Sequence, residues 1–118
     1  MAAAHALLLL TLMADGSTRL TLSEATTAKD CETSRISVTR VLTSMGKPPL
    51  LALCGQSDLR LTPYMHGTPA EAEIQRYRVE VPINGNFIVK PLTASESCES
   101  TQKSEPAVYC TRSAQRIR

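Results

Sequence analysis

The sequence predicts an α+β domain: one helix packed on a four- to five-stranded antiparallel sheet, in the order β-α-β-β-β-β, stapled by disulfides. Three observations carry this expectation. Residues 27–46 hold a helix with its own start and stop signals. From Leu50 onward the apolar period changes to that of strands. Four cysteines (Cys31, Cys54, Cys98 and Cys110) are available for cross-links in a chain whose core is short of aromatic side chains.

The 118 residues amount to one domain by length. Apolar residues make up 42%, but there is no Trp, one Phe and three Tyr, so the core rests on Leu, Val and Ile. So lean a core is marginal, and cross-links are the usual remedy. Thirteen basic and 11 acidic residues give a net charge of +2, spread along the chain. That distribution excludes the concentrated basic stripe of a nucleic-acid binder. The cluster of Arg112, Arg116 and Arg118 is read as a solvated tail.

Residues 2–13 (AAAHALLLLTLM) form an apolar run of the length of a signal-peptide core, below the ~20 residues of a membrane-spanning helix. Asp15 ends it, and cleavage after Gly16 or after Ala14 is comparable. The absence of Lys and Arg before the run departs from the signal-peptide pattern, and a retained anchor or an N-terminal core helix are the alternatives. Cysteines downstream favour export, because disulfides persist in oxidising compartments. The expected organisation is a signal peptide at 1–16, an α+β domain at 17–94, and a polar C-terminal tail at 95–118 tied by a disulfide. No membrane association is expected once the leader is removed.

Thr18–Leu22 alternates as a short strand, with Leu20 and Leu22 inward and Arg19 and Thr21 outward. Thr27 is an N-cap with Asp30 completing an approximate capping box, and Gly46 followed by Pro48 ends the helix. Ala28, Cys31, Val38, Val41, Leu42 and Met45 share one face of it, with Ile36 outside that face. Residues 50–64 read as a hairpin with its bend at Gly55–Asp58. Arg76–Val81 and Phe87–Leu92 read as a second hairpin. A three-residue loop with Gly85 in the left-handed position pairs Val79 with Val89, and puts Tyr77, Val79, Val81, Phe87 and Val89 on one face. The alternative register would bury Lys90.

The element order is similar to that of cystatin-like domains, and PepSY domains share a helix followed by strands with a Tyr-x-Val-like run. The likeness is one of topology. The Gln-Val-x-Gly-type inhibitory hairpin of cystatins is absent from the first bend, which runs Leu53-Cys54-Gly55-Gln56-Ser57.

Of the three possible cysteine pairings, Cys31–Cys54 with Cys98–Cys110 is preferred, because it fastens the helix to the next strand and closes the polar segment before Tyr109. No Cys-x-x-Cys spacing suggests zinc or redox chemistry, and no metal or cofactor is expected. His66, in the loop His66-Gly67-Thr68-Pro69, is the one histidine beyond the leader, so any acid–base mechanism would need it. Glu71 and Glu73 beside that loop, and Glu96 and Glu99 around Cys98, read as solvated charges. No nucleophile or phosphate-loop motif is present. The function expected is a non-catalytic binding, accessory or inhibitor module of the periplasm or extracellular space, contacting an envelope or extracellular protein through Tyr64, His66 and Pro69. The alternatives are a small exported hydrolase using His66 and a purely structural envelope component.

Overall fold

A computed structural model of the chain describes residues 4–63, 69–83, 86–101, 103 and 105–117. Six strands and one long helix follow one another as β1 (Ala4–Leu12), β2 (Thr18–Glu24), α1 (Ala28–Ser44), β3 (Leu51–Ser57), β4 (Gln75–Val81), β5 (Ile88–Leu92) and β6 (Ala107–Ser113), with a 3-10 turn at Ala70–Ala72. The strands form one mixed sheet in the order β3-β1-β2-β6-β4-β5. All neighbours are antiparallel except β2 and β6, which are parallel and share one register pair, Arg19 with Arg112.

The sheet therefore has six strands and mixed direction, where four or five antiparallel strands were expected. Two unread strands account for the difference. Residues 4–12 are β1, the central strand of the N-terminal trio. Its even positions Ala6, Leu8 and Leu10 enter the core, while Leu7 and Leu9 point to the opposite face, under the helix. A strand covered on both sides reads as a continuous apolar run with no period of 2, the same pattern as a leader. Residues 107–113 are β6, an interior strand between β2 and β4. Residues 4–12 and 107–113, which lie in the expected outer segments 1–16 and 95–118, both pair into this sheet. Asp58–Thr62 is not the return strand of a 50–64 hairpin. Leu61 instead bridges Ile117.

Other elements follow the sequence closely. Thr27 caps α1, its hydroxyl accepting from the Asp30 N–H at 3.0 Å. At the far end Gly46, at φ +76°, donates to Thr43 O while Lys47 donates to Leu42 O, the double bond pattern that a left-handed glycine closes. The second hairpin pairs Val79 with Val89 in the expected register. Its loop residues Asn84 and Gly85 lie outside the described residues. The helix stripe is only partly used: Cys31 is buried and Val38 and Leu42 are half-covered, but Val41 and Met45 are 56% and 62% exposed.

The core forms because the sheet curls. The inner face of β1 and β2 (Leu8, Leu10, Leu20, Leu22) meets that of β4 and β5 (Tyr77, Val79, Val89), together with Phe87. The sheet's two outer edges approach at β3 and the start of β5, where the Asn86 side-chain amide takes the place of a strand. Its Oδ1 accepts from the Gln56 N–H at 3.0 Å and its Nδ2 donates to Gln56 O. Gly55 permits this approach. A Cβ there would collide with Asn86 Oδ1 and sit 2.8 Å from the Phe87 ring.

A second side-chain amide closes the parallel seam. Gln115 is 2% exposed. Its Oε1 accepts from the Leu22 N–H at 2.9 Å, and its Nε2 donates to Leu22 O at 2.9 Å and to Thr62 O at 2.7 Å. Its own carbonyl accepts from the buried Tyr77 hydroxyl at 2.7 Å. Gln115→Ala would orphan the Leu22 N–H, Leu22 O and Thr62 O while keeping the backbone bond to Tyr77; at ~1–3 kcal/mol for each group, a loss of at least about 3 kcal/mol is expected from urea unfolding. A loss under ~1 kcal/mol would remove the amide's assigned role.

Two more expectations follow from this core. A chain beginning at Ser17 lacks β1, which removes Leu8 and Leu10 from beside Leu22 and Leu20 and detaches β3 from the sheet, so its far-ultraviolet dichroism should show no cooperative unfolding transition. Tyr77 is the second test. Burial raises its phenol above the ordinary value. The folded state thus holds this proton more tightly than the unfolded chain, whose tyrosines titrate near ~10. Stability should be level below pH ~10 and fall as the pH climbs beyond it, and Tyr77→Phe should flatten that fall.

Candidate functional site

Helix α1 lies over the outer face of β1 and β3 rather than over β2. Its N-terminal half is fastened there by the Cys31–Cys54 disulfide, with a Cα–Cα distance of 6.0 Å. Cys54 stands in register with Leu7, so the staple sits at one end of the outer-face row of β1. Towards its C-terminus the helix presents Val38 and Leu42, one turn apart and on one face. With β2 uncovered, a cavity of about 770 Å³ opens between these two residues, Leu7 and Leu9 of β1, and Thr21 and Ser23 of β2. Strand pairing sets the walls: Leu9 is opposite Thr21, and Leu7 is opposite Ser23. One side is aliphatic and the other carries hydroxyl groups. Leu61 and Pro63 add apolar surface to the lining.

Two ion pairs lie at the rim. Arg19 makes a bidentate pair with Glu73, its Nε donating to Oε1 and its Nη2 to Oε2 at 3.2 Å. Glu73 was expected to be solvated like Glu71. It is instead buried, with its carboxylate enclosed against Arg19. A buried carboxylate requires such a partner, because leaving it bare costs several kcal/mol. Glu24 stands 4.0 Å from Arg60 on the surface.

The second disulfide, Cys98–Cys110, lies on the other half of the same outer face, with a Cα–Cα distance of 5.9 Å. Both bonds have the expected pairing, and no described cysteine is free. Cys110 is in register with Arg78, whose side is opposite that of the inward Tyr77 and Val79. Since β5 ends beside Arg76 and β6 begins beside Val81, the described residues 93–101 run back along β4, with Thr101 reaching Val108. The disulfide pins them as a strap across the outer face. Thr101 and Val108 exchange backbone hydrogen bonds, and the Ser100 hydroxyl accepts from the Cys110 N–H at 2.9 Å.

Of the residues expected to meet a partner, Tyr64 and His66 lie outside the described residues, and Pro69 is exposed ahead of the 3-10 turn. The bend at Gly55–Asp58 is partly committed to the molecule itself, through the bonds between Gln56 and Asn86. Arg112, expected on a solvated tail, is half-buried on β6 and donates to Asp15 at 2.9 Å. The cavity was not read from the sequence, because Leu7 and Leu9 fell in the run read as a signal-peptide core. The outward Thr21 and the shared helix face of Val38 and Leu42 were its legible parts. Among the described residues no group of three or more His, Cys, Asp or Glu side chains could hold a metal ion, and no helix is long and apolar enough to cross a membrane.

No family model matches this chain, and no similar curated protein or solved structure was found.

Proposed function

We propose that this protein is a non-catalytic binding module of an exported, oxidising compartment, and that the groove between α1 and the outer face of β1 and β2 holds a small amphiphile. The observation that carries the reading is the groove: about 770 Å³, with aliphatic side chains on one wall and hydroxyl groups on the other. That volume falls within the range of small-molecule sites, which are mainly apolar with a few placed polar groups. An apolar chain lies along Leu7, Leu9, Val38 and Leu42, and its polar end faces Thr21 and Ser23. The two disulfides support the compartment, since such bonds persist outside the reducing cytosol. They also suit the task, because a groove with an open side gains little stability from its own packing.

A chain-length series tests the proposal. Straight-chain alcohols from six to fourteen carbons, titrated by calorimetry, should bind about threefold to fourfold tighter per added methylene until the groove is filled. Leu42→Glu, in the groove wall, should weaken the longest alcohols by at least about tenfold. Val41→Glu, on the same helix but exposed, should leave binding unchanged. Affinity independent of chain length, or equal loss in both variants, would overturn the small-amphiphile reading. A protein ligand would then be the remaining form of the binding proposal.

A further inference from the structure

Three arginines stand side by side on the outer face of the sheet. Arg19 of β2 is in register with Arg112 of β6, and Arg112 with Arg76 of β4. Neighbouring strands are only ~4.8 Å apart, and like charges directly opposite one another destabilise a sheet. The row persists because each guanidinium is balanced, though not in the same way. Arg19 is balanced permanently, by the buried Glu73. Arg112 leans on Asp15, an exposed residue in the turn between β1 and β2. Arg76 donates to Thr93 O at 3.1 Å. Exposed Glu96 is held below the usual carboxylate range chiefly by hydrogen bonds from Thr93, with a smaller contribution from the Arg76 charge.

Arg76 and Arg112 together border a concave pocket of about 320 Å³, walled by Ser17 of the turn, Thr18 at the start of β2 and Ser100 of the strap. Donors outnumber acceptors here. A guanidinium carries five N–H groups, more than Arg76 and Arg112 use in their bonds to described residues. The Asp15 carboxylate shows what the arrangement attracts. It receives the Ser17 backbone N–H, the Ser17 hydroxyl and the Arg112 Nη2.

We propose that this pocket is a site for a small oxyanion of the phosphate or sulfate class, held by the guanidinium groups of Arg76 and Arg112 and by the hydroxyl groups of Ser17, Thr18 and Ser100. Asp15 is its internal stand-in: a carboxylate on an exposed turn that occupies Arg112 until an oxyanion displaces it. The strap forms one wall, so the Cys98–Cys110 bond keeps the pocket concave. This site stands apart from the amphiphile groove, and neither proposal depends on the other.

The test is calorimetric titration of the full chain with inorganic phosphate at constant ionic strength, with chloride as the reference. Phosphate should bind with a saturable isotherm that chloride does not reproduce. Arg76→Gln and Arg112→Gln should each weaken it by about tenfold, the size of one charge-assisted contact. Asp15→Asn removes the internal competitor and should tighten binding several-fold, a gain that a folding defect cannot imitate. Lys90→Gln, on the neighbouring strand, should change nothing. Glycerol 3-phosphate distinguishes the source: affinity equal to or below that of phosphate marks a free oxyanion, and higher affinity marks an oxyanion borne on an organic molecule. No phosphate binding beyond chloride, or weaker binding in Asp15→Asn, would overturn the assignment.

Discussion

The fold depends on a seam with too little backbone in it. The sheet consists of two antiparallel trios, β3-β1-β2 and β6-β4-β5, joined by the parallel neighbours β2 and β6. Their ladder has one register pair. An antiparallel hairpin acquires its pairing cheaply from a short turn, whereas a parallel pair needs a long connection and must be held by other means. Gln115 supplies those means. A primary amide has the donor and acceptor of a peptide group, so its side chain continues the hydrogen bonding of Leu22 where the strand backbone does not. The same side chain holds Thr62, and the Gln115 backbone carbonyl accepts from the Tyr77 hydroxyl. Buried amides of this kind are stabilising only when every atom is paired, which here ties strand, loop and core together. Asn86 performs the related operation at the opposite edge, against Gln56. The curled sheet is thus closed at both joints by side chains.

This arrangement explains what could be read from the sequence and what could not. Local signals were faithful. Thr27, Gly46 and Pro48 bound a helix because capping and left-handed glycine act within a few residues. Val79 found Val89 because a buried lysine is too costly for the alternative register. The two disulfides joined elements near in sequence. Signals that depend on the other half of the molecule were silent. Nothing local distinguishes a strand buried on both faces from a secretory apolar core, so Ala4–Leu12 could not be told from a leader. Nothing local marks Gln115 as an interior residue either, because Leu22, Thr62 and Tyr77, which its side chain and carbonyl hold, lie at distant positions in the chain. The polar stretch before Cys110 read only as a tail for the same reason: the fixed points of the strap are Val108 and Cys110, on a strand that its composition does not announce.

The candidate sites follow from the same geometry. Curling commits the inner face to the core and leaves the outer face to be covered piecemeal. Helix α1 covers β1 and β3, the strap crosses β4 and β6, and β2 lies between them with Arg19, Thr21 and Ser23 turned outward. Its neighbours decide the character of each side. Towards β1 the row meets leucines and the aliphatic flank of the helix, which makes a groove for apolar matter. Towards β6 it meets Arg112 and then Arg76, which makes a surface for negative charge. Hydroxyl groups and charged side chains line both sites, and binding is the chemistry proposed for each.

The distribution of carboxylates sharpens that last point. Where the arginine row needs only structural balance, the chain uses Glu73, enclosed against Arg19 and shielded from water and salt. Where balance could equally have been permanent, at Arg112 and Arg76, it uses Asp15 and Glu96 on exposed turns, whose attraction is screened by solvent. A row serving the sheet alone would gain from removing an arginine, since relieving direct cross-strand repulsion removes a cost rather than adding one. Keeping three in register, with two countered only loosely, breaks a local rule of sheet design without a compensating gain in the fold. Such violations are expected where a surface is shaped for a ligand. The loose counter-ions are then part of the site: they keep the row compatible with folding, and they yield when a better anion arrives.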